Sequence, residues 1–419
     1  DCGFFQGRGH CSKRNYEEFG FNPETIDAVL VTHTHQDHIG RLPRLFQQKG
    51  KPTIYSTAPT RDLGELILED GHNIMTQESE ECGLEPLYSE HDVDAVMKAW
   101  KTVPYRESIE VAPGIVATWH DTGHVLGSSF IVVEAEGKKV AFSGDVGSES
   151  VPILHDTEAL PRDLDLFVCE STYGDRLHEP PTDRLDLLRD ALLRNNEKKG
   201  VLMIPAFSVE RMQEVLFELN ILVDHEGIDP GDVFLDSPLG ISATGVYRKY
   251  QGELDLDIPE GFTDNDFFGF KNLHITSSVG ESKGINNAGQ PKVILAGAGM
   301  MNAGRIQHHL VRYLDNPNNT LLVIGYQAVN TLGRRIVEGQ SPVRIFDYSV
   351  EVRAKIQKIE SYSGHADYDK LTRWVKDCGV KRVQLVHGDE EAQLAFQKHL
   401  KRQGIEEVEI PSFGEWVEV

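Results

Sequence analysis

The sequence predicts an α/β protein, on three observations. Apolar runs rich in Val, Ile and Leu recur along the chain, among them "DAVLVTH", "GIVATWH", "FIVVEA", "KKVAFSGD", "LDLFVCES", "GVLMIPAF", "KVILAGAG" and "TLLVIGY". Helical patterns lie between many of them, as in "SVERMQEVLFELNILVDH", where Val209, Met212, Val215, Leu216 and Leu219 return at helical spacing. Side chains able to ligate metals gather where strand candidates end, the place where α/β proteins commonly build ligand sites.

At 419 residues the chain exceeds the size at which a single core stops growing, so two domains are expected. No repeat, low-complexity segment or long Gly/Ser linker separates them, which favours one domain inserted in the other over two tethered ones. No apolar stretch reaches the ~20 residues that span a bilayer, and the N-terminus lacks the basic-then-apolar pattern of a secretory signal. A soluble cytoplasmic protein without a membrane partner is the expectation. The five cysteines, Cys2, Cys11, Cys82, Cys169 and Cys378, form no C-x-x-C pair and support neither a disulfide framework nor a thiolate zinc knuckle. With 42 basic against 66 acidic residues the net charge is −24, so a polyanion must be drawn in by a local basic strip or by bound cations.

"HTHQDHIG" follows the strand candidate at 26–32 and precedes the helix-compatible "RLPRLFQQKG". In extended chain His33 and His35 point to one side, and a turn brings Asp37 and His38 round to a second centre. Imidazoles suit zinc, and a carboxylate among them suits a catalytic site better than a closed structural one. Buried without partners, these groups would be costly. Later strand ends add His120 and His124 in "WHDTGHVLGSS", Asp145 in "AFSGDVG", His365 in "SYSGHADYDKL" and His387 in "VQLVHGDEE".

"HTHQDHIG" resembles the H-x-H-x-D-H signature of metallo-β-lactamase-fold hydrolases. "DCGFFQG", "TGHVLGSS", "FSGDVG", "ESTYGDR", "IPAFSVERMQEVLFEL", "FLDSPLG", "GYQAVNTLGRR", "SGHAD" and "VHGD" narrow the resemblance to the β-CASP nucleases, over nearly the whole chain. It implies a metallo-β-lactamase αββα sandwich in two pieces, 1–172 and 352–419, with an α/β β-CASP domain inserted at 173–351. It also implies that His33, His35 and His124 hold one zinc, that Asp37, His38 and His387 hold a second, and that Asp145 bridges the two. Glu170 and His365 match the family's motifs near the scissile phosphate, and Asp1 matches an aspartate that orients a metal-site histidine. His120 matches no family ligand.

Two metals roughly 3.5–4 Å apart lower the pKa of a water and stabilise in-line displacement at phosphorus. Hydroxide attack then needs a general acid for the departing sugar oxygen, a role that suits His365, with Glu170 orienting it and favouring its charged form. Asp37 is assigned to catalysis as well as to metal binding. Mn2+ or Fe2+ fits the same imidazole and carboxylate ligands as Zn2+.

His387 matches the RNA-processing branch of the family, so the implied partner is RNA. In "AGAGMMNAGRIQHHLVRYL" a glycine-rich turn precedes a helix and offers N–H groups to a phosphate, with Arg305, His308 and Arg312 near it. Asn302 stands where a dinucleotide fingerprint needs its third glycine, and the turn reads equally well as structural. Arg334 and Arg335 of "TLGRR" are further candidates for the basic strip. The family normally places a pair of strands before its first motif, whereas this sequence opens at the motif aspartate, and Asn330 stands where relatives commonly have glycine. The expected function is zinc-dependent, endonucleolytic hydrolysis of RNA. The alternatives are a 5′-to-3′ exoribonuclease, a small-molecule hydrolase of the same fold, and a catalytically silent scaffold subunit.

Overall fold

The computed structural model describes residues 2–5, 12–178, 184–256, 258–260, 262 and 266–419, with only the backbone of 78–82. The chain forms two compact units, one of 1–149, 154–177 and 365–419, the other of 150–153 and 178–364.

The first unit begins with β1 (Ala28–Leu30), the short helix α1 (Gln36–Ile39), α2 (Leu42–Gln47), β2 (Thr53–Ser56), α3 (Ala58–Cys82), α4 (Glu90–Ala99) and β3 (Trp100–Thr102). Strands β1, β2 and β3 make a small parallel sheet, against which α3 and α4 lie. An antiparallel run follows, β4 (Ser108–Ala112), β5 (Ile115–Asp121), β6 (Ser129–Ala135) and β7 (Lys138–Phe142), and then β8 (Leu166–Glu170), parallel to β7.

The second unit holds α5 (Arg184–Lys198), β9 (Val201–Ala206), α6 (Arg211–Asn220), β10 (Asp232–Asp236), α7 (Pro238–Lys249), β11 (Leu273–Ile275), α8 (Val279–Gly284), β12 (Lys292–Gly297), α9 (Ile306–Tyr313), β13 (Thr320–Val323), α10 (Leu332–Val337), the β14 (Val343–Ile345) and β15 (Tyr348–Val350) hairpin, and β16 (Lys355–Lys358). Its main sheet has the order β11-β10-β12-β9-β13-β16 with every pair parallel. Strands β9, β12 and β13 are buried along their whole length, which is why they read as continuous apolar runs rather than alternating ones. Because β16 pairs with β13, residues 355–358 belong to this unit, and the chain re-enters the first unit at His365.

There α11 (Tyr368–Cys378), β17 (Arg382–Val386), α12 (Glu390–Arg402) and β18 (Glu407–Glu409) complete a seven-stranded sheet of order β18-β17-β8-β7-β6-β5-β4. Strand β6 shows how two layers are joined. Ile131 and Val133 face a core with Tyr55, Trp119 and the small sheet, while Phe130 and Val132 face Trp374, Val375, Phe396 and Leu400 of α11 and α12. The unit is therefore the αββα sandwich expected. Trp119 is fully buried and donates its indole N–H to Val31 O at 3.2 Å, so Trp119→Ala would cost roughly 3–5 kcal/mol.

The strands absent from the sequence reading are β2, β3, β4, β10, β11, β14, β15, β16 and β18. Most are short or at a sheet edge, where too few residues are buried to set a pattern.

Candidate metal centre

The site is assembled in the first unit from loops that leave strand ends. Beyond β1 the chain stays extended to His35, the N-cap of α1, and α1 then carries Asp37 and His38, the His38 ring lying beside that of His33 with centroids 4.0 Å apart. Residues 2–4 run alongside this turn: Cys2 N–H donates to His38 O at 2.7 Å and Phe4 N–H to Gln36 O at 2.9 Å. Gly3 sits where a Cβ would fall 1.7 Å from the carbonyl carbon of Asp37, so no other residue fits there without moving the loop. Asp1 lies outside the described residues.

His124 is fixed by Ser128, whose hydroxyl accepts its backbone N–H at 3.0 Å and receives the Thr122 hydroxyl at 2.8 Å. Asp145 follows β7, Glu170 ends β8, His365 precedes α11 and His387 follows β17.

The structure brings the predicted ligands into two groups. His33 Nε2 lies 3.1 Å from His35 Nδ1, which lies 3.2 Å from His124 Nε2. Asp145 Oδ2 approaches His33 Nε2 at 3.3 Å and His124 Nε2 at 3.5 Å. In the second group His387 Nε2 is 3.3 Å from both His38 Nε2 and Asp37 Oδ2. Asp145 Oδ1 faces that group, 3.4 Å from His38 Nε2, so one carboxylate addresses both clusters.

These contacts meet the chemistry of a cation site. Burial pushes His33 down to about 4 and His35 down to about 3, and holds His124 well below the usual range, so at neutral pH each of the three imidazoles keeps one unprotonated nitrogen to offer a cation. Such nitrogens about 3 Å apart cannot all be hydrogen-bond partners of one another. Asp145 Oδ1 is buried with no hydrogen bond. Despite burial, the neighbouring histidines hold the Asp145 and Asp37 carboxyls well below the carboxylate range. Against the same burial, Asp145 and Asp37 raise His38 and lift His387 to about 9. The second group thus takes protons as its cations when metal-free, and a divalent ion would displace them.

Beside the clusters, Glu170 is fully buried and its carboxylate accepts the N–H groups of Val146 at 2.7 Å and Thr172 at 3.2 Å. Its Oε1 lies 3.4 Å from His365 Nδ1. Burial pulls the His365 pKa down, but the Glu170 charge and hydrogen bond outweigh it, and the net shift is upward. His120, which matches no family ligand, stacks on Phe130 with ring centroids 4.7 Å apart, pairs with Glu158 at 3.2 Å and joins neither cluster.

The nucleic-acid candidates of the second unit fare differently. Arg305 does not offer its fork to a phosphate: Nη1 donates to Asp236 Oδ1 at 2.7 Å and Thr276 O at 2.8 Å, and Nη2 to Ser277 O at 2.8 Å. The reason is Asp236, fully buried with His309 and needing a counter-charge. Asn302, where a fingerprint glycine would stand, accepts the Leu332 N–H at the start of α10. His308 stacks on Phe346 at 4.9 Å and Arg334 pairs with Glu338 at 2.6 Å. Asn330 has φ +70°, a left-handed conformation that asparagine tolerates, which accounts for glycine being common there.

Sequence profiles for known families match in three adjoining stretches: the metallo-beta-lactamase superfamily over 1–206, the Beta-Casp domain over 212–336, and a Zn-dependent metallo-hydrolase RNA specificity domain over 349–411. A protein named ribonuclease TTHA0252, from Thermus thermophilus, is 36% identical, with 100% of this chain and 94% of that protein aligned. The chain belongs to the β-CASP family of metallo-β-lactamase-fold hydrolases. An RNase J-like protein of Methanocaldococcus jannaschii is 30% identical over 94% of this chain and 88% of its own length. Endoribonuclease YSH1 of Yarrowia lipolytica is 28% identical over 89% of this chain and 45% of its own length.

What sequence reasoning missed are the hydroxyls behind two of the candidate ligands, Thr32 at 3.1 Å from His33 Nδ1 and Thr172 at 3.1 Å from His387 Nδ1. Their only signal was adjacency, a threonine directly before His33 and another in "ESTYGDR".

Proposed function

We propose that this chain hydrolyses RNA phosphodiester bonds as a zinc-dependent endoribonuclease. The observation that carries the reading is Asp145, one carboxylate shared by two ligand clusters, with the Glu170–His365 pair beside it. His33, His35 and His124 would hold one zinc, Asp37, His38 and His387 the other, and Asp145 both. Bound there, two zinc ions supply a water of lowered pKa and positive charge for the non-bridging phosphate oxygens; Mn2+ or Fe2+ would do so with the same ligands.

The chain's own groups do the rest. His365 carries a proton that Glu170 stabilises, and delivers it to the departing sugar oxygen. Asp37, whose side chain is 21% exposed against 2% for Asp145 and 0% for Glu170, is the most open of the three carboxylates and would orient the attacking water by accepting a hydrogen bond from it. RNA is favoured as substrate by the RNA specificity profile and by relatives named as ribonucleases. His308 and Arg334 remain the phosphate contacts proposed. Among the described residues no helix is long and apolar enough to cross a membrane. Cys2, Cys169 and Cys378 are free thiols, in keeping with a cytoplasmic setting.

The test is cleavage of a covalently closed circular RNA by the zinc-loaded protein, beside a His33→Ala control. Linear and shorter products from the wild type alone support an endonuclease. Intact circles together with decay of a linear RNA bearing a free 5′ end would transfer the reading to a 5′-to-3′ exoribonuclease. No cleavage of either would favour a silent scaffold, against which the filled ligand set argues.

A further inference from the structure

His387 is the ligand whose backbone is least at ease. It has φ +50°, a left-handed conformation that a non-glycine residue holds only when its surroundings over-determine it. The surroundings are two consecutive residues beyond β8. Ser171 donates its N–H to His387 O at 3.0 Å and its hydroxyl to Val386 O at 2.7 Å. A Cβ on Gly388 would fall 2.6 Å from Ser171 O, so the two loops close on each other with no room to spare. Thr172 then reaches the ring: its Oγ1 lies 3.3 Å from His387 O and 3.1 Å from His387 Nδ1.

A hydroxyl has one proton. With that proton on the His387 carbonyl, an oxygen lone pair faces Nδ1, which must therefore be the protonated nitrogen. Asp145 Oδ1, 3.5 Å from Nδ1, favours a proton at the same place. Without a metal, Asp37 Oδ2, 3.3 Å from Nε2, draws a second proton there; once that proton leaves, Nε2 is the nitrogen that offers a lone pair toward Asp37 and His38. The backbone N–H of Thr172 meanwhile holds Glu170, so one residue touches both the second cluster and the carboxylate behind His365.

We infer that Thr172 is a positioning residue for the second metal, its hydroxyl fixing the His387 tautomer that presents Nε2 while Ser171 pins the left-handed backbone. The inference rests on the reading of His387 as a metal ligand, and the experiment separates the two. Zinc affinity is measured on the full chain by competition with a chromophoric chelator, for the wild type, Thr172→Val, Thr172→Ser and His387→Ala. His387→Ala should lose one of two zinc ions. Thr172→Val should weaken one ion about 10- to 100-fold and leave the other unchanged, the range for losing a hydrogen bond behind a metal-bound histidine. Thr172→Ser should bind as the wild type does.

Two ions held at wild-type affinity by Thr172→Val, with one lost from His387→Ala, would overturn the positioning role and leave the ligand reading intact. Two ions held by His387→Ala would overturn both. Nitrogen NMR of the zinc-loaded, histidine-labelled wild type needs no substitution: a protonated Nδ1 on His387 is expected, and a protonated Nε2 would refute the inference.

Discussion

His33, His35 and His124, imidazoles that burial keeps neutral, converge with the Asp145 carboxylate, whereas the second cluster joins Asp37 and His38 to a residue 350 positions away from Asp37. His387 is 26% exposed at its side chain and left-handed at its backbone; His33 and His124 are almost completely buried. The first cluster is preformed by its local motif and by the turn that Ser128 ties. The second exists only while two parallel strands, β8 and β17, stay in register and the residue beyond β17 stays strained. Neutral imidazoles await an ion in the one, and in the other His38 and His387, which hold protons beside the Asp37 and Asp145 carboxylates, must first give them up. The second centre should therefore be the looser.

Asp145 belongs to both clusters, and its loss is the severest way to break the comparison. Asp145→Ala should leave less than one tightly held zinc per chain and reduce RNA cleavage by at least about a thousandfold, as expected when several kcal/mol of charge stabilisation disappear. Metal analysis after dialysis, with circular dichroism to confirm folding, checks it; one ion retained at full affinity would mean the clusters are independent.

His365 touches neither group as a ligand in this reading. His365→Gln should slow cleavage by about 10²–10⁴-fold while zinc content stays at two, and a fall in zinc instead would make the histidine structural. As the acid, His365 must be protonated, so the rate should decline as pH rises through its pKa. Glu170 holds that pKa up, and Glu170→Gln should move the alkaline limb of the rate profile to lower pH.

The mildest test removes the metals. A histidine with a raised pKa adds stability while it is protonated: fully below about 6.5, and progressively less as pH climbs. For His387 that loss is complete only beyond about 9. Between pH 6.5 and 9.5 the metal-free protein should lose a few degrees of Tm, and the zinc-loaded protein should not. Zinc binding near pH 7.5 should release protons, visible as a dependence of calorimetric heat on the buffer's ionisation enthalpy.

Much of the fold was legible because buried strands and amphipathic helices write their own periods. Strands β5 to β9, β12 and β13 all appear as apolar runs, and α6 follows the spacing of Met212, Val215, Leu216 and Leu219. Strands β3 and β11, three residues each at sheet edges, leave no such trace. In the site, residue type and strand-end position were enough to nominate every side chain of the two clusters. What escaped notice depends on partners far along the chain: Thr172 meets His387 across 215 residues, and no local pattern announces that contact. Arg305 misled for the converse reason, since a cation beside a glycine-rich turn looks available until the buried Asp236 that claims it is seen.

Gly3 turns the packing along the metal loop into a question of tolerance. At that position the smallest side chain collides with three backbone atoms, the carbonyl carbon and oxygen of Asp37 and the nitrogen of His38, which cannot rotate aside as a side chain would. In a library that samples all amino acids at residue 3, glycine alone should survive selection for metal retention, though residue 3 bears no ligand and no charge. The position would then be mistaken for a catalytic one by any screen that scored loss of activity without also weighing the metal.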